Sequence, residues 1–271
     1  MFRGCSSLKD INPLENWDVS GGKYFSNMFY ECSSLFEVKS LLNWNFSNAN
    51  NLSGIFRGCL SLINIESLQN WDVSECINFY QMFDDCKSLS QIESLQNWNV
   101  SKGNNFSEMF YGCSSLTNLK PLEKWDVSSA NNFKGMFNLC SSLLDIKSLE
   151  KWKVDNSINF SYIFYGCKSL TNIKSLENWN VEKVINFSSM FCGCSNLSDI
   201  KPLENWNVEA GKDFSFMFYG CRSLSDIKPL ENWNVSNGNN FNKIFSEVYD
   251  FKPIEKWNIS KEKIEMIKNL K

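Results

Sequence analysis

The sequence contains no histidine, and this absence excludes much of enzyme chemistry. Histidine is the usual acid–base group near neutral pH and the usual partner of a serine or cysteine nucleophile. Positive charge is not in excess either, because 27 Lys and Arg stand against 30 Asp and Glu, a net charge of −3. The chain therefore lacks the broad basic field of a nucleic-acid-binding protein. We expect neither an enzyme nor a nucleic-acid partner.

Long apolar runs are also missing. No stretch approaches the roughly 18 apolar residues that a transmembrane helix requires, and Met1 is not followed by the apolar core of a secretory signal peptide. Proline is scarce, and all five prolines fall at one position of the repeat described next. We therefore expect no transmembrane segment and no linker or domain boundary inside the chain.

What the chain does have is a motif that recurs every 27 residues. A pair formed by Met or Ile and Phe begins each unit, at residues 1, 28, 55, 82, 109, 136, 163, 190, 217 and 244. Nine tryptophans keep the same step from Trp17 to Trp233, and Trp257 arrives three residues early. Because one unit cannot bury its apolar residues alone, neighbouring units must stack. The pattern predicts a single solenoid of ten coils over residues 1–260, with residues 261–271 as a C-terminal capping helix.

Within one unit the spacing predicts a short helix and short extended pieces. Phe106, Met109, Phe110 and Cys113 are separated by three, one and three residues, which is typical of one helical face. The apolar residues from Leu116 onwards recur every two or three positions, which favours short extended pieces separated by turns. An asparagine recurs before the late phenylalanine of each unit, and it predicts a stacked amide ladder that satisfies backbone groups at a turn.

Eleven cysteines are present, and nine of them share one position of the repeat. Side chains in one column point the same way, so they do not present the dihedral angle near 90° that a disulfide needs. Val248 takes this position in the last unit, which suits a small buried apolar residue and no metal ligand. We predict a ladder of buried, unpaired thiols, no metal site and no cofactor. The nine phased cysteines are Cys5, Cys32, Cys59, Cys86, Cys113, Cys140, Cys167, Cys194 and Cys221.

The unit MFYGCSSL, followed by NWDVS or NWNVS and then NFSxMF, resembles the repeat of the BspA-like leucine-rich-repeat surface proteins. More narrowly, it is similar to a mycoplasma repeat of unknown function built on MF, C, SL and W(D/N). The resemblance extends from Met1 to Ser260. It implies a leucine-rich-repeat-like superhelix, which we expect to be right-handed, displayed on a cell surface. It also implies adhesion or protein binding and supplies no catalytic residue. Since unpaired thiols fit a reducing compartment, a cytoplasmic location stays open beside the cell surface.

The first functional hypothesis is a non-enzymatic protein-binding or adhesive scaffold. In a repeat protein, specific binding residues should lie where the units depart from their consensus. Aromatic side chains at such positions are frequent in protein interfaces. The candidate binding stripe comprises four tyrosines directly after the apolar–Phe pair and three aromatic residues at other variable positions: Tyr30, Tyr111, Tyr165, Tyr219, Tyr80, Tyr162 and Phe216.

The alternative hypothesis is a structural, self-assembling solenoid that forms dimers or filaments through its N-terminal end. Met1, Phe2, Leu8 and Ile11 belong to columns that other units cover from both sides. We expect either that further units precede them in a longer array or that they form an exposed end interface. A column of lysines and a column of glutamates three residues later predict a solvated face of weak ion pairs. In two early units, Glu66 and Glu93 occupy the lysine column.

Overall fold

The computed structural model describes residues 1–246 and 248–269, and these residues form a stack of repeating units. Each unit contributes one 3-10 helix of three to five residues, and the first residues of the first nine helices are 27 residues apart. In the described part of the chain the ten 3-10 helices are Asn12–Leu14, Lys39–Leu41, Glu66–Asn70, Glu93–Leu95, Lys120–Leu122, Lys147–Leu149, Lys174–Leu176, Lys201–Leu203, Lys228–Leu230 and Lys252–Lys256.

Hydrogen bonds between parallel backbones join consecutive units. Asn105, for example, forms parallel bridges with Asn78 in the preceding unit and with Asn132 in the following one. Alternate N–H groups of residues 106–112 donate to carbonyl oxygens of residues 132–138, at 2.7–3.0 Å. We call each such stretch a ladder segment. The ladder segments are residues 1–4, 24–31, 51–58, 78–85, 105–112, 132–139, 159–166, 186–193, 213–220 and 240–246.

The helix predicted around residues 105–116 is wrong. Glu108 and Gly112 have φ angles of 56° and 67°, which lie in the left-handed region and interrupt any right-handed helix. Ser107 does not cap a helix, because its hydroxyl donates to the Oδ1 atom of Asn105 at 2.6 Å. The three-residue spacing of the apolar side chains has another origin. Consecutive turns, closed by the N–H groups of Met109 and Cys113 to the carbonyl oxygens of Phe106 and Phe110 at 3.2 Å, return the next apolar side chain to the interior.

The predicted asparagine ladder is present. The Oδ1 atom of Asn105 accepts the N–H of Ser107 at 3.0 Å, and Asn132 accepts the N–H of Lys134 at the same distance. Each of these bonds satisfies a backbone donor where the chain enters a ladder segment. The asparagine side chain therefore shapes the turn, and the backbone of the same residue pairs with the neighbouring units.

A single apolar core runs along the stack from Ile11 to Ile267. Equivalent aromatic rings lie above one another, with Phe110 and Phe137 at 5.9 Å between centroids and Trp98 and Trp125 at 6.4 Å. Their interplanar angles are 4° and 2°. Each interior ring is thus covered by its counterparts in the units on either side, so burial depends on the neighbours as much as on the unit itself.

All eleven cysteines are free, and ten of them are buried. The Sγ atom of Cys113 lies 3.2 Å from the carbonyl oxygen of Phe83 in the preceding unit, and its counterparts repeat this contact along the column. Cys5 departs from the prediction because it is exposed. Among the described residues, the unit of Cys5 is covered on one side, by the unit of Cys32, whose Sγ atom lies 3.1 Å from the carbonyl oxygen of Phe2.

Helix α1, Lys261–Asn269, follows the last 3-10 helix at the C-terminal end of the stack. Its Ile264 and Ile267 are buried, and Lys268 forms an ion pair of 2.9 Å with Glu255. Leu270, the third apolar residue of the predicted capping helix, lies outside the described residues. Among residues 1–246 and 248–269, no helix combines the length and apolar character needed to cross a membrane.

Candidate functional site

The ladder segments hold a backbone shape that does not depend on which side chains they carry. Two positions in each of the eight segments from 24–31 to 213–220, one directly before the apolar–Phe pair and one two residues after it, have φ angles between 55° and 75°. Gly4 and Lys243 share this conformation in the first and last segments. Eight of these positions are glycine, but larger side chains such as Leu139, Tyr162 and Phe216 adopt the same conformation. A left-handed conformation costs a non-glycine residue roughly 1–2 kcal/mol. It therefore persists here because stacking against the neighbouring units imposes it.

Three positions of this backbone carry side chains that change from unit to unit: two before, one before and one after the apolar–Phe pair. Some of these side chains are exposed, as Tyr80 is, and others are buried, as Gln81 and Asp84 are. We call the surface made by these three columns the variable face. In residues 78–85 the three side chains are Tyr80, Gln81 and Asp84. The apolar residues between them are buried, so one invariant ladder supports a surface whose composition changes from unit to unit.

A polar network crosses the variable face between residues 30 and 108. The Arg57 Nε atom lies 3.0 Å from Asp84 Oδ2, and its Nη1 group donates to Gln81 Oε1 at 2.7 Å. Gln81 in turn donates to Glu108 Oε2 at 2.7 Å. On its other side the Arg57 guanidinium lies over the Tyr30 ring, 5.3 Å from the centroid. The network joins four consecutive ladder segments through side chains alone.

Burial shifts the titration of groups in this network. The side chain of Asp84 is only 5% exposed, and burial raises its pKa to about 7, against the opposing effect of the Arg57 charge. Burial also raises the pKa of Tyr80, with a contribution from the charge of Glu108. The pKa of Tyr111 is raised by burial and by the charges of Asp85 and Asp84. The acidic groups therefore lie close enough together for the charge of one to raise the pKa of another.

The structure divides the predicted tyrosine stripe into separate groups. Tyr162 contacts Tyr165 and Phe216 contacts Tyr219, both at 5.8 Å between ring centroids. These are the only ring contacts within the predicted set among the described residues. Tyr80, Tyr162 and Tyr219 are exposed, and the other members are half-buried: Tyr30, Tyr111, Tyr165 and Phe216.

The predicted end interface is partly exposed. Met1 is 79% exposed, and Phe2 and Leu8 are half-buried. Ile11 departs from the expectation, because it is only 4% exposed and packs into the core of its own unit. Trp17 was not predicted in this set, but it is 40% exposed, whereas every other tryptophan is buried.

Sequence reasoning missed the network around Arg57. Arg57 and Asp84 occupy the column that tyrosine fills in four other units, and this departure from the consensus was the available signal. The contact of Arg57 with Gln81 and Asp84 depends on how far side chains reach across stacked units, which repeat spacing alone does not give. Within the described residues, no group of three or more Cys, Asp and Glu side chains is placed to hold a metal ion.

One family model covers nearly the whole chain. The model, described as "Mycoplasma protein of unknown function, DUF285", matches residues 1–64, 34–148, 61–175 and 158–270. No curated protein sequence matches the chain. The overlapping matches leave only the last residue uncovered, as expected for a model of a few repeats applied to a longer array.

Several solved structures are similar to this chain at low identity. A leucine-rich-repeat protein of T. pallidum is 18% identical over 70% of this chain, with a TM-score of 0.31, and the match spans 61% of that protein's length. A leucine-rich cell surface protein of Faecalibacterium prausnitzii A2-165 is 16% identical over 98% of this chain and 77% of its own, with a TM-score of 0.38. An internalin (inlF) of Listeria monocytogenes is 14% identical over 92% and 75% of the two chains, with a TM-score of 0.29.

Proposed function

Because the chain belongs to the DUF285 family of mycoplasma proteins of unknown function, we propose its role from the arrangement of its own residues. We propose that it is a non-enzymatic protein-binding scaffold and that it contacts its partner through the variable face. The scaffold is the single array of residues 1–260, closed by helix α1.

One observation carries this proposal: side-chain identity varies on a backbone whose conformation does not. The position before the apolar–Phe pair is Glu108 in one segment, Gly135 in the next and Tyr162 in the one after, and all three have φ between 56° and 60°. A rigid, preorganised surface loses little conformational entropy when it binds, and this favours affinity. Solenoids use such extended surfaces to bind other proteins.

The aromatic part of the variable face supplies the anchors that a protein interface needs. Tyr162 is 37% exposed and Tyr219 is 38% exposed, so each retains ring surface for a partner to cover. Tyrosine combines a large apolar ring with a hydrogen-bonding hydroxyl and is enriched where interface energy concentrates. We place the centre of the interface at the two ring pairs, Tyr162 with Tyr165 and Phe216 with Tyr219.

The proposal is tested by comparing which proteins bind two matched variants. The immobilised wild-type chain, a Tyr162→Ser/Tyr165→Ser/Phe216→Ser variant and a Lys147→Ser/Lys174→Ser/Lys201→Ser variant are incubated with protein extracts, and retained proteins are quantified by mass spectrometry. We expect proteins that the wild type and the lysine variant retain and that the aromatic variant loses. Identical retention by all three chains would contradict the proposal.

Self-assembly is the alternative function, and the exposure of Trp17 and Met1 at one end of the stack favours it. Size-exclusion chromatography of the wild type and of a Phe2→Lys/Leu8→Lys variant tests this alternative. Association that the variant loses would support it, and a strictly monomeric wild type at high concentration would contradict it.

For location we propose the cell surface, supported by the resemblance of the repeat unit to BspA-like surface proteins; the cytoplasm is the alternative. Protease treatment of intact cells separates the two, since only a surface protein is cleaved.

A further inference from the structure

The lysine and glutamate columns of the 3-10 helices change character in two adjacent units. In seven units the 3-10 helix begins with lysine, and in most of these a glutamate follows three residues later, as at Lys120 and Glu123. In the helices Glu66–Asn70 and Glu93–Leu95 the lysine is replaced by glutamate, and the later glutamate is replaced by Gln69 or Gln96. The lysine column and the glutamate column thus change together. In these two units a carboxylate occupies the position that a lysine occupies in seven other units.

A groove between these two helices is larger than its counterparts. Its volume is about 540 Å³, compared with about 210 Å³ between Lys120–Leu122 and Lys147–Leu149 and about 270 Å³ between Lys228–Leu230 and Lys252–Lys256. Lysines line both smaller grooves, whereas no lysine lines the large one. We call this space the acidic groove.

A local change in the chain accompanies the larger volume. In most units an Asn or Asp two residues before the 3-10 helix accepts the first N–H of that helix, as Asn64 Oδ1 accepts the N–H of Glu66 at 2.8 Å. Asn118 does the same for Lys120 at 3.1 Å. In the acidic groove this position is Gln91, whose side chain is one methylene longer and makes no such bond to the described residues. Gln91 instead adds an amide to the wall of the groove.

The carboxylates of the acidic groove lack a directly bonded cation among the described residues, although Lys39 lies near enough to Glu66 for the charge of Glu66 to raise the Lys39 pKa, after the larger effect of Glu37. Glu66 and Glu93 form no ion pair with any described residue, whereas Glu231 pairs with Lys256 at 2.8 Å. Lys39, one unit earlier in the same column, pairs with Glu37 at 2.8 Å. The hydroxyl oxygen of Ser94, also in the lining, is buried and has no hydrogen-bond partner in the described part of the chain. The groove therefore collects hydrogen-bond acceptors and negative charge, and no cationic side chain lines it.

We propose that the acidic groove is a second docking surface, which binds a lysine- or arginine-bearing segment of a partner protein. Charge-assisted hydrogen bonds from an ammonium or guanidinium group to the two carboxylates are the strongest contacts that these side chains can form. Ile63, which is 55% exposed, borders the groove and offers apolar surface to the aliphatic part of a long basic side chain. Phe36, 47% exposed, lies one unit away in the column of Ile63 and continues this apolar surface.

The inference rests on the proposed function of protein binding, but it concerns a different surface. The test uses two synthetic peptides, one of alternating lysine and leucine and one of alternating glutamate and leucine, titrated by NMR against the full chain. The side-chain amide signals of Gln69, Gln91 and Gln96 report directly on the groove. We expect saturable shifts of these signals with the basic peptide and none with the acidic one.

The decisive variant restores the consensus of the repeat. Glu66→Lys/Glu93→Lys places lysine where seven other units carry it, so the array should stay folded. We expect it to lower the affinity for the basic peptide roughly tenfold, because two attractive contacts between opposite charges are replaced by repulsion between like charges. Glu150→Lys/Glu204→Lys changes the net charge equally at exposed sites outside the groove, and it should keep nearly the wild-type affinity.

Two results would overturn the inference: equal weakening by both double variants, which would mean that only net charge matters, or equal binding of the acidic peptide. The Tyr162→Ser/Tyr165→Ser/Phe216→Ser variant keeps the two proposals apart. If it loses its protein partners but still binds the basic peptide, the variable face and the acidic groove act independently. Failure of the peptide experiment alone leaves the variable face as the binding surface.

Discussion

The indole nitrogen of Trp125 donates a hydrogen bond of 2.9 Å to the carbonyl oxygen of Leu95, which lies 30 residues earlier in the preceding unit. The same bond joins Trp98 to Leu68 and Trp152 to Leu122. From Trp44 to Trp257, each tryptophan thus fills the core of its own unit and donates to a carbonyl group of the unit before it. Slipping one unit against its neighbour would break this bond and misalign the stacked rings, so the bond also defines the register of the stack.

Replacement of Trp125 by alanine should cost about 3–5 kcal/mol of unfolding free energy, the usual range for a buried aromatic side chain. Trp17→Ala is the matched control, because Trp17 occupies the same column but is 40% exposed and stacks on one tryptophan of the described residues, Trp44. We expect a clearly smaller loss for Trp17→Ala in urea denaturation. Equal losses for the two variants would contradict stabilisation by neighbours on both sides.

Leu139→Gly should stabilise the protein by about 1 kcal/mol, because Leu139 has a φ angle of 60° that glycine adopts without strain. The converse change, Gly166→Ala at φ 66°, should destabilise it, since the new methyl group would also approach the Leu139 side chain. Thermal unfolding of both variants measures the two effects. A lower melting temperature for Leu139→Gly would show that packing of the leucine side chain outweighs the backbone strain.

The stability of the wild type should fall between about pH 4 and pH 7 relative to that of Asp84→Asn. Burial raises the folded-state pKa of Asp84 to about 7, above its ordinary value of 3.8. A carboxyl group with a raised pKa contributes its full stability below pH 4 and loses it as the pH rises through 7. Melting temperatures of both proteins across this range check the prediction. A difference between them that does not change with pH would mean that Arg57 keeps Asp84 ionised throughout.

Repeat spacing was enough to predict the stacked architecture, because every column must meet its own copy in the next unit. It was not enough to predict the backbone of the ladder segments. The three-residue steps from Phe106 to Met109 and from Phe110 to Cys113 fit a helix. They fit equally well a segment of consecutive turns with left-handed residues. Hydrogen bonds to the neighbouring units decide whether the helix or the ladder segment is formed. The sequence of a single unit does not reveal these bonds.

The candidate surfaces were predictable only in part. Departures from the consensus marked the column of Tyr30, Arg57 and Asp84, but they did not show that Arg57 bridges Gln81 and Asp84. The change from lysine to Glu66 and Glu93 was visible in the sequence, whereas the larger groove between them was not. The contacts of Arg57 and the size of the groove both depend on distances between side chains of different units.

In one uninterrupted stack each unit covers its neighbours, so the interior cysteines should be inaccessible. Counting the reactive thiols of the native protein tests this most directly. Cys5 is exposed and every other cysteine is buried. Burial raises the pKa of Cys113 well above its ordinary value, which suppresses the reactive thiolate. Alkylation followed by mass spectrometry should label Cys5 alone in the native protein and all eleven cysteines after unfolding. Rapid labelling of several interior cysteines, or disulfides between neighbouring units, would contradict the stacked array.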